Sequence, residues 1–191
     1  DWETLPYDVF SPHQDIISQR LDTLNQLPNL QHGIVILPVA TLMHRLTPRG
    51  YVEQHSLIFA VGAKVVISAL RNRLEQPGSL CAPQVLDHGD FAVRGSLVDL
   101  FPMGSKLPYR IDLFDDEIES IRHFDPDTQR SLDKIDAIHL LPAREYPLDE
   151  DGISLFRQNF RQGFDVNPNN TVLYRDVSQG IASPGIEYYL P

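Results

Sequence analysis

Phe91-Ala92-Val93-Arg94-Gly95-Ser96-Leu97-Val98-Asp99-Leu100-Phe101-Pro102 is followed, after a short turn, by Tyr109-Arg110-Ile111-Asp112-Leu113-Phe114-Asp115-Asp116-Glu117 and then by Ile118 to Phe124. Apolar and polar residues alternate through all three segments, and Gly, Pro or acidic turns separate them. That pattern predicts consecutive antiparallel strands. Side chains of a strand point to opposite faces in turn, so Tyr109, Ile111 and Leu113 share one side and Arg110, Asp112 and Phe114 the other. With the first set in the core, an aromatic ring sits on the solvent face beside an arginine.

Working outward, the N-terminal part has a different rhythm. Residues 1–10 are aromatic, carry a proline and read as an ordered loop. Ser11-Pro12 suits a helix start, with Ser11 as N-cap and Pro12 in the first turn. Ile16, Ile17, Leu21, Leu24 and Leu27 recur at helical spacing, and Pro28 ends the helix. Gly33 to Val39 is a continuous apolar run, as expected of a strand buried on both faces in a parallel sheet. A short helix over about Thr41 to Leu46 completes an α/β rhythm, which Pro48-Arg49-Gly50 breaks. A strand over Leu57 to Val61 follows, then a helix from Ser68, its expected N-cap, to Glu75, stopped by Pro77-Gly78. On the C-terminal side, Leu132 to Leu141 reads as one more strand. Pro142 to Leu148 is a linker, Ile153, Phe156, Phe160 and Phe164 lie on one helical face, and Val172 to Gln179 reads as a short helix.

The 191 residues suffice for one large or two small domains. Hydrophobic and charged contents of 42% and 22% are those of an ordinary globular protein. No apolar run approaches the ~18 residues of a membrane span, and no leader pattern opens the chain. The first residue is Asp1, and the end is apolar; both suggest an excised fragment. The single Cys81 excludes an internal disulfide, suits a reducing cytoplasm and is expected to be a small core residue. The net charge of −10 opposes binding of nucleic acid by this chain. Its densest basic group is only Arg71-Asn72-Arg73.

Several stretches imitate catalytic motifs. Gly104-Ser105-Lys106 lacks the earlier glycine of a phosphate loop and runs into Pro108, so it reads as a turn. Asp149-Glu150-Asp151 resembles an ATPase acidic box, but no buried strand precedes it; acidic residues opening a helix favour its dipole. Asp112, Asp115, Asp116, Glu117 and Glu119 lack the central glycine of a calcium loop and read as an acidic hairpin turn. The seven histidines show no metal-ligand spacing. What remains is Arg94, Arg110 and Phe114, residue types that dominate protein interfaces but also pack on ordinary surfaces.

The central strands resemble domain 2 of the excision-repair protein UvrB and, more closely, the UvrB-homology module of the bacterial transcription-repair coupling factors (the Mfd family). Asp1-Trp2-Glu3-Thr4-Leu5-Pro6-Tyr7-Asp8, Phe10-Ser11-Pro12 and Phe101-Pro102-Met103-Gly104-Ser105 point to the coupling factors; Leu141-Pro142-Ala143 and Gly185-Ile186-Glu187-Tyr188 fit the returning part. The resemblance implies an incomplete, degenerate helicase-like α/β domain, formed by residues 1–47 (part of domain 1a) and 142–191 (part of domain 1b). Into it would be inserted residues 48–141, an α+β domain 2 on a mostly antiparallel sheet. It implies that domain 2 binds UvrA through Arg94, Arg110 and Phe114, and that a C-terminal domain of the intact protein holds the same surface. It implies no catalysis, cofactor or metal in this chain; ATP and Mg, RNA polymerase and DNA would engage other domains of a full-length cytoplasmic protein. Two rival readings are a fragment of a UvrB-like DNA-dependent ATPase and a nucleic-acid-binding module.

Overall fold

A computed structural model describes residues 2–5, 10–75 and 78–189. In chain order the elements are α1 (Gln14–Gln26), α2 (Val39–Leu42), α3 (Arg49–His55), β1 (Leu57–Ala60), α4 (Ile67–Glu75), β2 (Leu80–Cys81), β3 (Asp90–Arg94), β4 (Leu97–Leu100), β5 (Tyr109–Phe114), β6 (Glu117–Phe124), β7 (Ser131–Ile135), β8 (Ala137–Leu140), α5 (Glu150–Gly163) and α6 (Val172–Ser178). The alternation predicted for residues 91–124 is realised as β3 to β6, adjacent and antiparallel in a six-stranded sheet of order β2-β3-β4-β5-β6-β7. Only the β2–β3 pair is parallel, so the fold is a mixed α/β one on a mostly antiparallel sheet.

The inner face of this sheet makes the main core. Phe91, Val98, Leu100, Ile111, Leu113, Ile118 and Ile121 pack against Leu70 and Leu74 of α4, and against a two-stranded sheet in which β1 pairs with β8. Two tight turns fix this ladder. Gly95, at φ 62°, opens the two-residue connection from β3 to β4, where a mirror-image hairpin turn needs positive φ. Asp115, at φ 59°, does the same between β5 and β6; aspartate tolerates that region better than most residues.

A second cluster joins α1 (Ile17, Leu21) and α3 (Tyr51, Val52) to Met103, Leu141 and Ala143. The two ends of the chain are also knitted together. The Trp2 indole N–H and the Arg20 Nε both donate to the buried Glu145 carboxylate, at 3.2 and 2.7 Å. Ser11 Oγ donates to Glu187 at 3.0 Å and accepts from the Gly185 N–H at the same distance.

Several expectations change. Gly33 to Val39 is not a buried strand: Ile34 and Ile36 are 89% and 91% exposed. An apolar run needs neighbouring strands on both edges to form such a strand, and among the described residues none pairs with it. Ser11 does not cap α1, because its hydroxyl serves the C-terminal segment; His13 Nδ1 accepts from the Asp15 N–H instead. Pro48-Arg49-Gly50 is the entry to α3, with the Pro48 carbonyl accepting from Tyr51 and Val52 N–H groups. Ser68 lies inside α4 rather than capping it. The single strand over Leu132 to Leu141 is two, since the chain leaves one sheet at Asp136 and enters the other. Cys81 is exposed, on an edge strand bonded on one side only. The proposed stop at Pro77, the stretch Pro6-Tyr7-Asp8 and the terminal Leu190-Pro191 lie outside the described residues.

Burial, chiefly, and also the Glu145 carboxylate raise the Glu187 carboxyl above its ordinary value of 4.5, against the Ser11 hydrogen bond. A carboxyl with a raised folded value binds its proton more tightly when folded. Its stabilisation is present below the unfolded value and is lost as pH rises through the folded one. Glu187→Gln should therefore gain stability relative to the parent chain between pH 4.5 and neutrality. Urea melts at both ends of that range test this; parallel pH profiles for the two proteins would refute it.

Candidate functional site

The register places Ala92 opposite Asp99 and Asp99 opposite Arg110. Arg94, two residues beyond Ala92, shares the same outer face of the sheet. Asp99 is 1% exposed, and an isolated carboxylate there would be untenable. Two arginines satisfy it. Arg110 makes a bidentate pair, Nε to Oδ1 at 2.7 Å and Nη2 to Oδ2 at 2.9 Å, and Arg94 Nη2 donates to Oδ2 as well. Arg110 Nη1 also donates to the Gln129 carbonyl (3.2 Å) and to Ser131 Oγ (3.4 Å). Its guanidinium carbon lies 4.8 Å from the centre of the buried Phe124 ring. The hydrogen bonds to Asp99 hold the Arg110 guanidinium above its ordinary value, against the opposing effect of burial.

The two arginines are therefore brought together but are not alike. The Arg110 side chain is 18% exposed and its donors are largely committed. Arg94 is 49% exposed and engages Asp99 through one nitrogen, so its remaining donors face outward. Phe114 is 75% exposed and lies on the same face. It is four residues along β5 from Arg110, about 13 Å at ~3.3 Å per residue. A β-bulge at Asp112/Leu113 leaves this alternation of β5 intact, because the extra residue, Glu119, falls on β6. The face thus carries a charged centre and, beyond Asp112, an open aromatic.

Asp99, which organises this geometry, has a faint signature in the sequence. It is the lone carboxylate within Leu97-Val98-Asp99-Leu100-Phe101, on the face opposite the core. The other candidates are accounted for locally. Gly104 sits at φ 79° in a turn and its N–H donates to Ser18. Asp149 caps α5 by accepting from the Gly152 N–H at 2.8 Å. His88 bridges Asp15 and the Ser105 carbonyl, both at 2.8 Å, and the His123 ring lies tilted against that of Tyr109, centroids 5.0 Å apart. Among the described residues no group of His, Cys, Asp and Glu could hold a metal ion, and no helix is long and apolar enough to cross a membrane.

Residues 57–146, which contain the whole sheet and the Arg94–Asp99–Arg110 cluster, match the UvrB interaction domain family. The full chain is 52% identical to a stretch of the transcription-repair-coupling factor of Escherichia coli, and 52% identical to that of Haemophilus influenzae. The Bacillus subtilis transcription-repair-coupling factor is 34% identical over 75% of the chain. The chain spans 17% of the length of the first two relatives and the matched part 12% of the third. The site thus lies in a protein-interaction domain of the UvrB type. The chain belongs, as a segment, to the transcription-repair-coupling factor family.

Asp99→Ala should destabilise the fold by about 3 kcal/mol, because it strands the largely buried Arg110 charge. Arg94→Ala leaves the bidentate pair in place and should cost less than about 1 kcal/mol. Urea unfolding of the two variants checks the ranking; an Asp99→Ala midpoint equal to that of the parent would show that the cluster holds nothing together.

Proposed function

We propose that this chain is the UvrA-recruiting module of a transcription-repair-coupling factor. Its face of Arg94, Arg110 and Phe114 docks UvrA, bringing damage recognition to a stalled transcription complex. The observation that carries the reading is Phe114, a large aromatic left 75% exposed on the face where two arginines are held by a buried carboxylate. Hot-spot residues are of these types, and an aromatic anchor is desolvated on docking. The similarity of residues 57–146 to the UvrB interaction domain supports the same reading.

The three residues divide the work. Phe114 supplies the apolar anchor. Arg94, with free donors, makes charge-assisted hydrogen bonds to acidic or carbonyl groups of UvrA. Arg110 contributes its remaining edge and sets the position of Asp99. Residues 1–47 and 142–191 are parts of a degenerate helicase-like α/β domain, domains 1a and 1b, with 48–141 inserted as domain 2; the Arg20–Glu145 and Ser11–Glu187 contacts between the flanking parts support that grouping. This segment acts without catalysis, cofactor or metal. In the whole cytoplasmic protein, ATP with Mg, RNA polymerase and DNA are engaged by other domains, and the C-terminal domain covers the docking face until recruitment is required. The rival ATPase-fragment reading is not favoured, since relatives that are 52% identical over the whole chain are transcription-repair-coupling factors.

Calorimetric titration with purified UvrA tests the proposal. Phe114→Ala should leave the urea midpoint unchanged, its side chain being in solvent, and weaken binding by about 2 kcal/mol, roughly 30-fold. Arg94→Ala should also weaken binding while the fold persists. Affinity unchanged in both would remove this face from the site.

A further inference from the structure

The register of the sheet places Arg122 directly opposite Arg110, and Lys134 directly opposite Arg122. With strands ~4.8 Å apart, three cations stand side by side on the outer face, from Arg110 to the β7 edge. Like charges directly opposite each other destabilise a sheet. The one carboxylate in that row, Asp99, is already shared by Arg94 and Arg110. Arg122 is half-buried and its Nε is shielded from solvent with no hydrogen-bond partner. Among the described residues neither Arg122 nor the exposed Lys134 enters an ion pair. An apolar or neutral residue would cover the sheet equally well without the repulsion, so packing alone gives no reason for the charges.

We infer that Arg122 and Lys134 extend the docking face and receive carboxylates from the protein partner proposed above, UvrA, an inference that rests on that reading. A polyanion fits the surface less well. The row is short, and the far end of the same face carries Asp112 and Glu117, with Asp115 in the turn beyond them, which repel a continuing phosphate track. Discrete carboxylates on a folded partner can meet the cations and leave Phe114 to an apolar contact. The attraction is local and largely exposed, so it weakens with salt.

The experiment is a titration of the chain with UvrA at about 50 and 300 mM NaCl, where screening differs strongly. Lys134→Glu, an exposed edge position, should weaken binding by about tenfold at low salt and by less at high salt. Arg122→Gln should weaken it too, and Arg122→Lys should retain most of the affinity. Circular dichroism melts confirm that each variant is folded, and Lys134→Glu decides the matter if Arg122→Gln is not. Loss of binding in Phe114→Ala with parent-like affinity in Lys134→Glu at both salts would overturn this inference and leave the UvrA reading standing. Failure of the parent chain to bind UvrA would remove the reading itself. Retention of a DNA duplex by the parent chain, released by Lys134→Glu, would overturn the assignment to a protein partner.

Discussion

A single buried carboxylate constrains the whole outer face of the sheet. Asp99 has left water, and it is tolerable because Arg110 grips it with two nitrogens, to which Arg94 adds a third. Those contacts require β3, β4 and β5 to be in one register. A slip of one residue exchanges the faces of a strand. In β4 it would drive Asp99 into the core occupied by Val98 and Leu100 and expose those two instead. The ion cluster and the apolar core therefore select the same pairing, the first by excluding the alternative and the second by rewarding the native one. Phe114 then falls on the outer face because β5 continues its alternation from Arg110.

The outer face is not uniformly open, and its cover explains why the two arginines differ. Val85, Ala92, Phe101 and Phe124 form a small cluster over one end. Arg110 lies against the Phe124 ring, with its Nη1 turned to the Gln129 carbonyl and the Ser131 hydroxyl. The opposite end, past Asp112, lacks such cover, and Phe114 projects there. One end of the face is thus fixed by packing and the other is free to be packed against. The proposed partner would meet arginines whose rotamers are already held, with less side-chain entropy to lose than with mobile cations.

Period-two alternation made the central strands legible in the sequence, because within β3, β4, β5 and most of β6 successive residues take opposite faces. The same rule placed Arg110 and Phe114 together. The role of Asp99 was less legible, since one acidic residue in a half-exposed strand is ordinary until its cross-strand neighbours are known. The errors share a cause. Gly33 to Val39 has the composition of a buried strand, but composition does not supply the neighbouring strands. Ser11 has the chemistry of a helix cap, but a residue distant in sequence, Glu187, competes for its hydroxyl. The division of residues 131–140 at Asp136 depends on two separate sheets being near. Each is a case of tertiary partners overriding a local preference.

The net charge of −10 and the basic row on the outer face are not in conflict. Charge over the whole surface governs solubility and long-range repulsion, whereas a docking patch acts within about a Debye length, ~8–10 Å at physiological salt. A largely acidic chain with a basic row at one end of this face is electrically polarised across it. In the proposed complex such a row would turn toward a carboxylate-bearing surface, while the rest of the chain would hold acidic surfaces off. The apolar contact at Phe114 is non-directional and the cations are not. Affinity would then come mainly from the aromatic, and orientation from the row of charges beside it.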